Sequence, residues 1–300
     1  MKILISGSTG LVGEALAPVL RAKGHDVFRL VRSAPATASE IRWDAVSGFA
    51  PEEQARLEGF DAVIHLAGDN VASGSWSEDK KRKIRESRTV GTRVLVDALR
   101  KCTAPPKAFI SASATGFYGN RGDEILTEDS QSGTGFLPMV SRDWETEIGK
   151  AADFGARVVM LRIGIVLSKD GGALDKMLTP FKMGVGGVVG SGKQYMSWIT
   201  LSDLVRVIEF ALDNEGMKGP VNVTAPNPVT NEVFTKALGA ALGRPTLVPV
   251  PEFAIKLLYG EMGEALVLGG NRVVPKKLEV AGFKFLHSEI GDALAAVLKA

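Results

Sequence analysis

The stretch Lys2-Ile-Leu-Ile-Ser6, followed by Gly7-Ser-Thr-Gly10-Leu-Val-Gly13, decides the fold of this 300-residue chain. The aliphatic run predicts a buried β-strand, and the glycines predict a tight turn that opens directly into a helix. The amides of a helix N-terminus at the end of a strand suit a pyrophosphate. Three glycines allow the turn, a close approach of backbone to phosphate, and close packing of helix on strand. The stretch therefore predicts a dinucleotide site formed by Gly7, Thr9, Gly10, Leu11, Val12 and Gly13.

Short aliphatic runs alternate with amphipathic stretches in the first half of the chain. The predicted strands are Lys2–Ser6, Asp26–Val31, Ala62–Leu66, Ala108–Ser111 and Arg157–Ile163. The predicted helices are Leu11–Ala22, Glu78–Leu99 and Pro138–Phe154. This alternation predicts an α/β protein with a Rossmann-type, doubly wound parallel sheet.

The composition of the sequence changes at Gly171, where glycine and large apolar residues become frequent. Helical stretches with prolines at 245, 249 and 251 follow later in the chain. We therefore expect a dinucleotide-binding Rossmann domain made of residues 1–170 and 199–225. We expect residues 171–198 and 226–300 to form a small mixed lobe on the substrate side.

Composition and charge exclude several classes of protein. Apolar residues make up 45% of the chain, charged residues 23%, and the net charge is +2, as in a globular protein without a nucleic-acid partner. Cys102 is the single cysteine, and three dispersed histidines at 25, 65 and 287 predict no metal site. The chain starts on a strand and contains no apolar run of spanning length, so we expect a soluble, cytoplasmic protein without a membrane partner.

The end of the second strand indicates which dinucleotide binds. NAD-specific sites place a carboxylate there for the ribose hydroxyls, whereas this strand ends in Arg32 and Ser33. A guanidinium can form paired hydrogen bonds with a 2′-phosphate. Arg32 and Ser33 therefore predict NADP(H) rather than NAD(H).

Several motifs together resemble the extended short-chain dehydrogenases and nucleotide-sugar epimerases. They are the glycine turn at 7–13, DAVIHLAG at 61–68, SRTVGT at 87–92 and SASATGFYG at 111–119. The sequence LRIGIVLS at 161–168 and the glycine-rich run after it look like the atypical branch of predicted epimerases that carries a C-terminal domain of unknown function. The resemblance covers nearly the whole chain and implies a Rossmann fold, NADP(H) and an inserted substrate-side lobe.

The resemblance also implies cofactor contacts beyond the glycine turn. Leu66, Ala67 and Gly68 would line the adenosine side, and Val166 would lie near the nicotinamide. Arg88 would reach the cofactor from its helix, although it belongs to a basic run of the kind that usually forms a solvated helix face.

The catalytic residues depart from the family pattern. In the family, a serine or threonine after the fifth strand works with a Tyr-x-x-x-Lys pair, whose lysine lowers the tyrosine pKa. Ser113 fits the first role, but Leu137 and Ser141 stand where the tyrosine and lysine would be. Tyr118 could substitute for the tyrosine, although an aromatic residue here also suits packing.

The glycine-rich loop at 181–198 is the best candidate for substrate contact. Lys193, Gln194 and Trp198 offer it a charge, an amide and a flat ring surface. A structural or dimer-forming loop is the alternative, so a homodimer is possible.

These features together predict an NADP(H)-dependent oxidoreductase or epimerase that acts on a polar small molecule such as a sugar nucleotide. A different class also fits the missing Tyr-Lys pair: an NADP(H)-binding regulator or scaffold with little or no turnover, a role that the resemblance links to cell division. A dehydratase that uses carboxylates is a third option, for which Asp123 and Glu124 are the nearest acidic pair.

Overall fold

The computed structural model describes residues 1–299 and contains a central sheet of seven strands. Its strands are β1 (Lys2–Ser6), β2 (Asp26–Val31), β3 (Glu40–Arg42), β4 (Ala62–His65), β5 (Ala108–Ala114), β7 (Arg157–Ile163) and β11 (Gly219–Val223). Six shorter strands form three separate two-stranded sheets. The pairs are β6 (Ile125–Leu126) with β13 (Arg272–Val273), β8 (Ile165–Leu167) with β10 (Trp198–Thr200), and β9 (Tyr195–Met196) with β12 (Val229–Thr230).

Ten α-helices surround these strands within the described residues. They are α1 (Leu11–Ala22), α2 (Pro51–Ala55), α3 (Glu78–Arg100), α4 (Phe136–Gly149), α5 (Gly172–Lys182), α6 (Leu201–Asp213), α7 (Asn231–Leu242), α8 (Glu252–Gly263), α9 (Lys276–Val280) and α10 (Ile290–Lys299). Single turns of 3-10 helix occupy Thr115–Tyr118 and Lys150–Phe154, and a π turn occupies Glu264–Leu268. No helix among residues 1–299 combines the length and the apolar character needed to span a bilayer.

The sheet order is β11-β7-β5-β4-β1-β2-β3, and every pairing in it is parallel. The winding reverses between β1 and β4, which opens a crevice outside their carboxyl ends. The predicted α/β Rossmann fold is therefore confirmed. The glycine turn after β1 and the loop after β4 both border this crevice.

The three largest apolar cores among the described residues hold the layers together. On one face of the sheet, α1 and α6 pack through Leu16 and Leu204. On the other face, α3 and α4 pack through Leu95 and Trp144. The third core lies outside the sheet and joins α5, α7 and α10 into a lobe.

The predicted elements differ from the structure mainly at the edges. The predicted helix Pro138–Phe154 is α4 followed by the 3-10 turn Lys150–Phe154. The sequence pattern did not predict β3 and β11, the two edge strands. Strand β3 has only three residues, and β11 contains Pro220, which sheets tolerate at an edge but rarely in the middle.

The C-terminal part of the chain does not stay entirely with the lobe. Leu278 and Phe283 belong to the sheet core beside α1 and α6, and β13 pairs with β6. Apolar burial thus anchors part of the predicted second lobe, residues 226–300, to the Rossmann layers. The predicted domain boundaries remain a prediction.

Candidate cofactor groove and substrate cleft

The three glycines after β1 meet different constraints. Gly7 has a φ of +69°, and a Cβ there would lie 2.7 Å from the backbone nitrogen of Ala67. A Cβ on Gly13 would lie 2.4 Å from the carbonyl oxygen of Gly7. A Cβ on Gly10 would have only that carbonyl oxygen nearby, at 3.4 Å. Gly7 and Gly13 are therefore required by packing, whereas Gly10 borders open space above the start of α1.

The start of α1 offers unpaired donors to this space. Gly10 is the N-cap of the helix and supplies no side-chain cap. The neighbouring Ser8 is buried, and its Oγ has no hydrogen-bond partner among the described residues. An uncapped helix start beside an unpaired hydroxyl fits a pyrophosphate group. Ser8 was missed by the sequence analysis, although its place inside the glycine turn was a signal.

A buried chain of hydrogen bonds ties the two loops of the crevice together. Trp144 Nε1 donates to Thr92 Oγ1 at 2.9 Å, and Thr92 Oγ1 lies 3.0 Å from His65 Nε2. His65 Nδ1 lies 2.6 Å from Ser6 Oγ, which also accepts from the amide of Ala67. Burial lowers the pKa of His65 from 6.5 to about 4, so this ring is neutral at pH 7.

Arg88, on α3, stabilises the loop after β4 through hydrogen bonds to backbone carbonyl oxygens. Its Nη1 donates to the carbonyl oxygens of Asp69 and Ile84, each at 3.0 Å, and its guanidinium lies over the Trp144 ring at 5.1 Å. A Cβ on Gly68 would lie 3.4 Å from that guanidinium. Burial lowers the pKa of Arg88 to about 10, and it remains charged at pH 7. Its predicted contact with the cofactor stays a prediction.

The other predicted cofactor residues follow β2 and β4 or lie in β8, and their contacts with the cofactor stay predictions. Arg32 and Ser33 are exposed directly after β2, where a ribose phosphate would lie. Leu66 and Ala67 are partly buried after β4. Val166 is half-buried in β8 and pairs with Ile199 of β10.

Ser113 belongs to a buried ion-pair network. Its Oγ donates to Glu145 Oε1 at 2.7 Å, and Arg162 binds both oxygens of the same carboxylate at 2.8 Å. All three residues are buried. Burial lowers the pKa of Arg162, but the Glu145 carboxylate outweighs that effect and the net shift is upward.

Tyr118 belongs to the same network and has no exposed surface. Its hydroxyl lies 2.6 Å from Asn222 Oδ1 and 2.9 Å from the carbonyl oxygen of Thr127, and it accepts from Arg162 Nη1 at 2.9 Å. Burial raises the pKa of Tyr118, which favours the protonated phenol. The hydroxyls of Ser113 and Tyr118 are both paired within this buried network. Their catalytic roles stay predictions.

A cleft of about 390 Å³ opens beyond the carboxyl end of β5. Its lining includes Thr115 and Gly116 after β5, Leu137 on α4, Ile165 on β8, and Asn271 before β13. The hydroxyl of Thr115 forms no side-chain hydrogen bond with the described residues, while Asn271 Nδ2 donates to the Thr115 carbonyl oxygen at 2.9 Å. Thr115, which is 9% exposed, therefore lines the cleft with a hydroxyl that no described side chain pairs, and the sequence pattern did not single it out.

The loop at 181–198 reaches the cleft through residues other than those predicted. Tyr195 and Ser197 line it. Trp198 is completely buried, with Nε1 donating to the Asn227 carbonyl oxygen, and Gln194 binds backbone carbonyls within the lobe. Lys193 is exposed and outside the cleft lining. The residues that line the cleft are thus the immediate neighbours of the predicted Gln194 and Trp198.

The parallel strand order, the glycine turn at the switch point and the adjacent cleft define a dinucleotide-binding α/β protein of the short-chain dehydrogenase type. The chain belongs to the NAD dependent epimerase/dehydratase family, which matches residues 3–224. A domain of unknown function, DUF1731, matches residues 250–297. Both assignments agree with the resemblance found in the sequence.

Relatives extend over the whole chain. An epimerase family protein of Mycobacterium bovis is 45% identical and covers 97% of this chain and 96% of its own length. The human epimerase family protein SDR39U1 is 33% identical over 99% of this chain and 100% of its own.

Two solved structures are similar as well. Human SDR39U1 (isoform 2), crystallised with NADPH, has a TM-score of 0.90 and 32% identity and covers 100% of this chain and 99% of its own. A nucleoside-diphosphate sugar epimerase from Corynebacterium glutamicum has a TM-score of 0.81 and 37% identity. That match covers 99% of this chain and 58% of the epimerase.

Proposed function

We propose that this protein binds NADP(H) along the crevice and catalyses oxidation or reduction of a small molecule in the adjacent cleft. The observation that carries this proposal is the cleft at the carboxyl end of β5, which is lined by Thr115, a residue whose hydroxyl has no side-chain partner among the described residues. The NADPH bound to human SDR39U1 supports the choice of cofactor.

The preference for NADP(H) rests on Arg32, because no carboxylate follows β2. Charge-assisted hydrogen bonds each contribute about 1.5 to 3 kcal/mol, so NADPH should bind at least ~10-fold more tightly than NADH. Calorimetric titration of both cofactors tests this, and Arg32→Ala should narrow the difference. Equal affinities in the unchanged protein would reject the assignment.

The chemistry must proceed without the Tyr-Lys pair of the wider family. Leu137 lines the cleft where that tyrosine would stand, and Ser141 is buried behind it. The cofactor supplies or accepts the hydride. For reduction, the Thr115 hydroxyl can donate a hydrogen bond to the substrate carbonyl oxygen, and water in the open cleft can supply the proton.

Three variants separate the candidate hydroxyls. Thr115→Val should lower reductase turnover about 10²-fold, as removal of a donor to a developing oxyanion does, without changing NADPH affinity. If Ser113 and Tyr118 act as their sequence positions predict, Ser113→Ala and Tyr118→Phe should each lower reductase turnover without changing NADPH affinity. NADPH-dependent reduction of a panel of small ketones and aldehydes, with NADPH affinity measured in parallel, shows which hydroxyl contributes.

The regulator hypothesis remains the second candidate. It is favoured by the burial of Ser113 and Tyr118. It is also favoured by Leu137 and Ser141 standing where the family has tyrosine and lysine, because these residues cannot transfer a proton as that pair does. A protein that binds NADPH tightly but turns over no carbonyl compound and no sugar nucleotide would support this candidate.

A further inference from the structure

We infer that the cleft accepts a small, uncharged, ring-bearing carbonyl compound or alcohol rather than a nucleotide sugar. This inference rests on the proposed function, since it assigns the substrate class of the same cleft. It is carried by the charges, the aromatic walls and the size of the cavity.

The full charges on the described cleft lining are both negative. They belong to Glu261 and Glu264, at the rim. Lys81 contacts Glu261 at 3.0 Å and Lys256 lies 3.6 Å from Glu264, but neither lysine lines the cleft. Sites for phosphate groups normally use arginine or lysine side chains that face the ligand. This lining therefore offers a diphosphate no side-chain cation and two nearby carboxylates.

Arg272 and the start of α4 also lie beside the cleft. Arg272 follows the lining residue Asn271, yet its guanidinium lies over the Tyr195 ring at 5.0 Å and is outside the lining. The start of α4 borders the cleft without a side-chain cap at Gly135. Its free amides can bind a carbonyl, hydroxyl or carboxylate oxygen, so the start of α4 does not discriminate between charged and uncharged ligands.

The aromatic and aliphatic side chains that line the cleft favour a ligand that carries a ring. Trp76 and Phe136 meet edge to face, with ring centroids 5.0 Å apart. Trp76 Nε1 donates to the Val71 carbonyl oxygen at 2.8 Å, which satisfies its only donor and leaves the ring as apolar surface. Leu137 and Leu266 extend this surface.

The size of the cleft points the same way. Its volume of about 390 Å³ lies near the lower end of the range for ligand sites, roughly 300 to 1,000 Å³. Ile165 of β8 forms part of the wall. A compact substrate fits such a volume better than a nucleotide sugar.

Methyl benzoylformate and benzoylformate test this inference, because both carry a phenyl ketone and they differ by one negative charge. UDP-glucose is the third probe. Affinities are measured by ligand-observed NMR at low ionic strength on the full chain, with and without NADPH. We expect the ester to bind at least ~10-fold more tightly than the acid, and UDP-glucose to leave the bound ester in place.

Variants that remove single carboxylates show which residues cause the difference in affinity between the ester and the acid. Glu261→Gln and Glu264→Gln should each narrow the difference between ester and acid, as should added salt. Glu252→Gln is the matched control, because Glu252 also pairs with Lys256, at 2.7 Å, but does not line the cleft. It should leave the difference unchanged.

Equal affinities for ester and acid would overturn the inference. Displacement of the ester by UDP-glucose would also overturn it, especially if Arg272→Ala abolished that displacement. Binding of NADPH without binding of any probe would reject the substrate class but leave the cofactor proposal intact. Absence of NADPH binding would reject the proposed function, while the charge preference would still be read on the cofactor-free protein.

Discussion

Replacement of the buried His65 by asparagine should change how the stability of the protein depends on pH. The folded protein lowers the pKa of His65 from 6.5 to about 4 through burial. The unfolded chain therefore binds a proton between these values that the folded chain does not bind. Stability falls as the pH decreases through this window and is fully present above about pH 7.

The magnitude follows from the size of the shift. A difference of roughly 2.5 pKa units corresponds to about 3 kcal/mol, of which about 2 kcal/mol is lost by pH 5. His65→Asn removes this loss while keeping one donor and one acceptor near Ser6 and Thr92. The variant should be less stable than the unchanged protein at pH 7.5, and the gap should shrink by about 2 kcal/mol at pH 5.

Urea unfolding at pH 7.5, 6.5, 5.5 and 5 measures this gap. His25→Asn is the matched control, because His25 is only partly buried and contacts the chain's N-terminal amine at 3.3 Å. A gap between His65→Asn and the unchanged protein that stays constant over the range would refute the argument from burial.

Three further predictions concern the glycine turn and the buried network. Gly10→Val should abolish NADPH binding while the fold persists, whereas Gly13→Ala should destabilise the fold by about 1 to 3 kcal/mol because its Cβ clashes with the backbone. Circular dichroism measures the fold and cofactor fluorescence measures NADPH binding. Normal NADPH binding by Gly10→Val would contradict the role of the turn. Arg162→Met should cost about 3 to 5 kcal/mol in urea unfolding, because Glu145 is left as a buried charge, and Arg162→Met with Glu145→Leu should recover much of the loss. Tyr118→Phe should cost about 1 to 3 kcal/mol by removing the partner of buried polar atoms, and an unchanged unfolding midpoint would argue against that network.

The sequence predicted the sheet and the cofactor groove well because their signals are local. The bounds of β1, β2, β7 and α1 agree with the prediction residue for residue. A buried parallel strand needs a continuous apolar run, and a turn into a helix needs glycine, so each element is encoded within a few residues. The edge strands carry weaker signals and were missed.

The sequence alone also determined the family and the absence of a Tyr-Lys pair, since both depend on residue identity at fixed spacing. Only the tertiary structure decided which polar groups face the cleft. Ser113 stands opposite Arg162 in the register of β5 and β7, and that ion pair with Glu145 holds its hydroxyl inside the protein. Two residues later the chain leaves β5 for the 3-10 turn, and Thr115 is among the residues that line the cleft. A strand's sequence fixes its alternation, but its packing partners decide which side is buried.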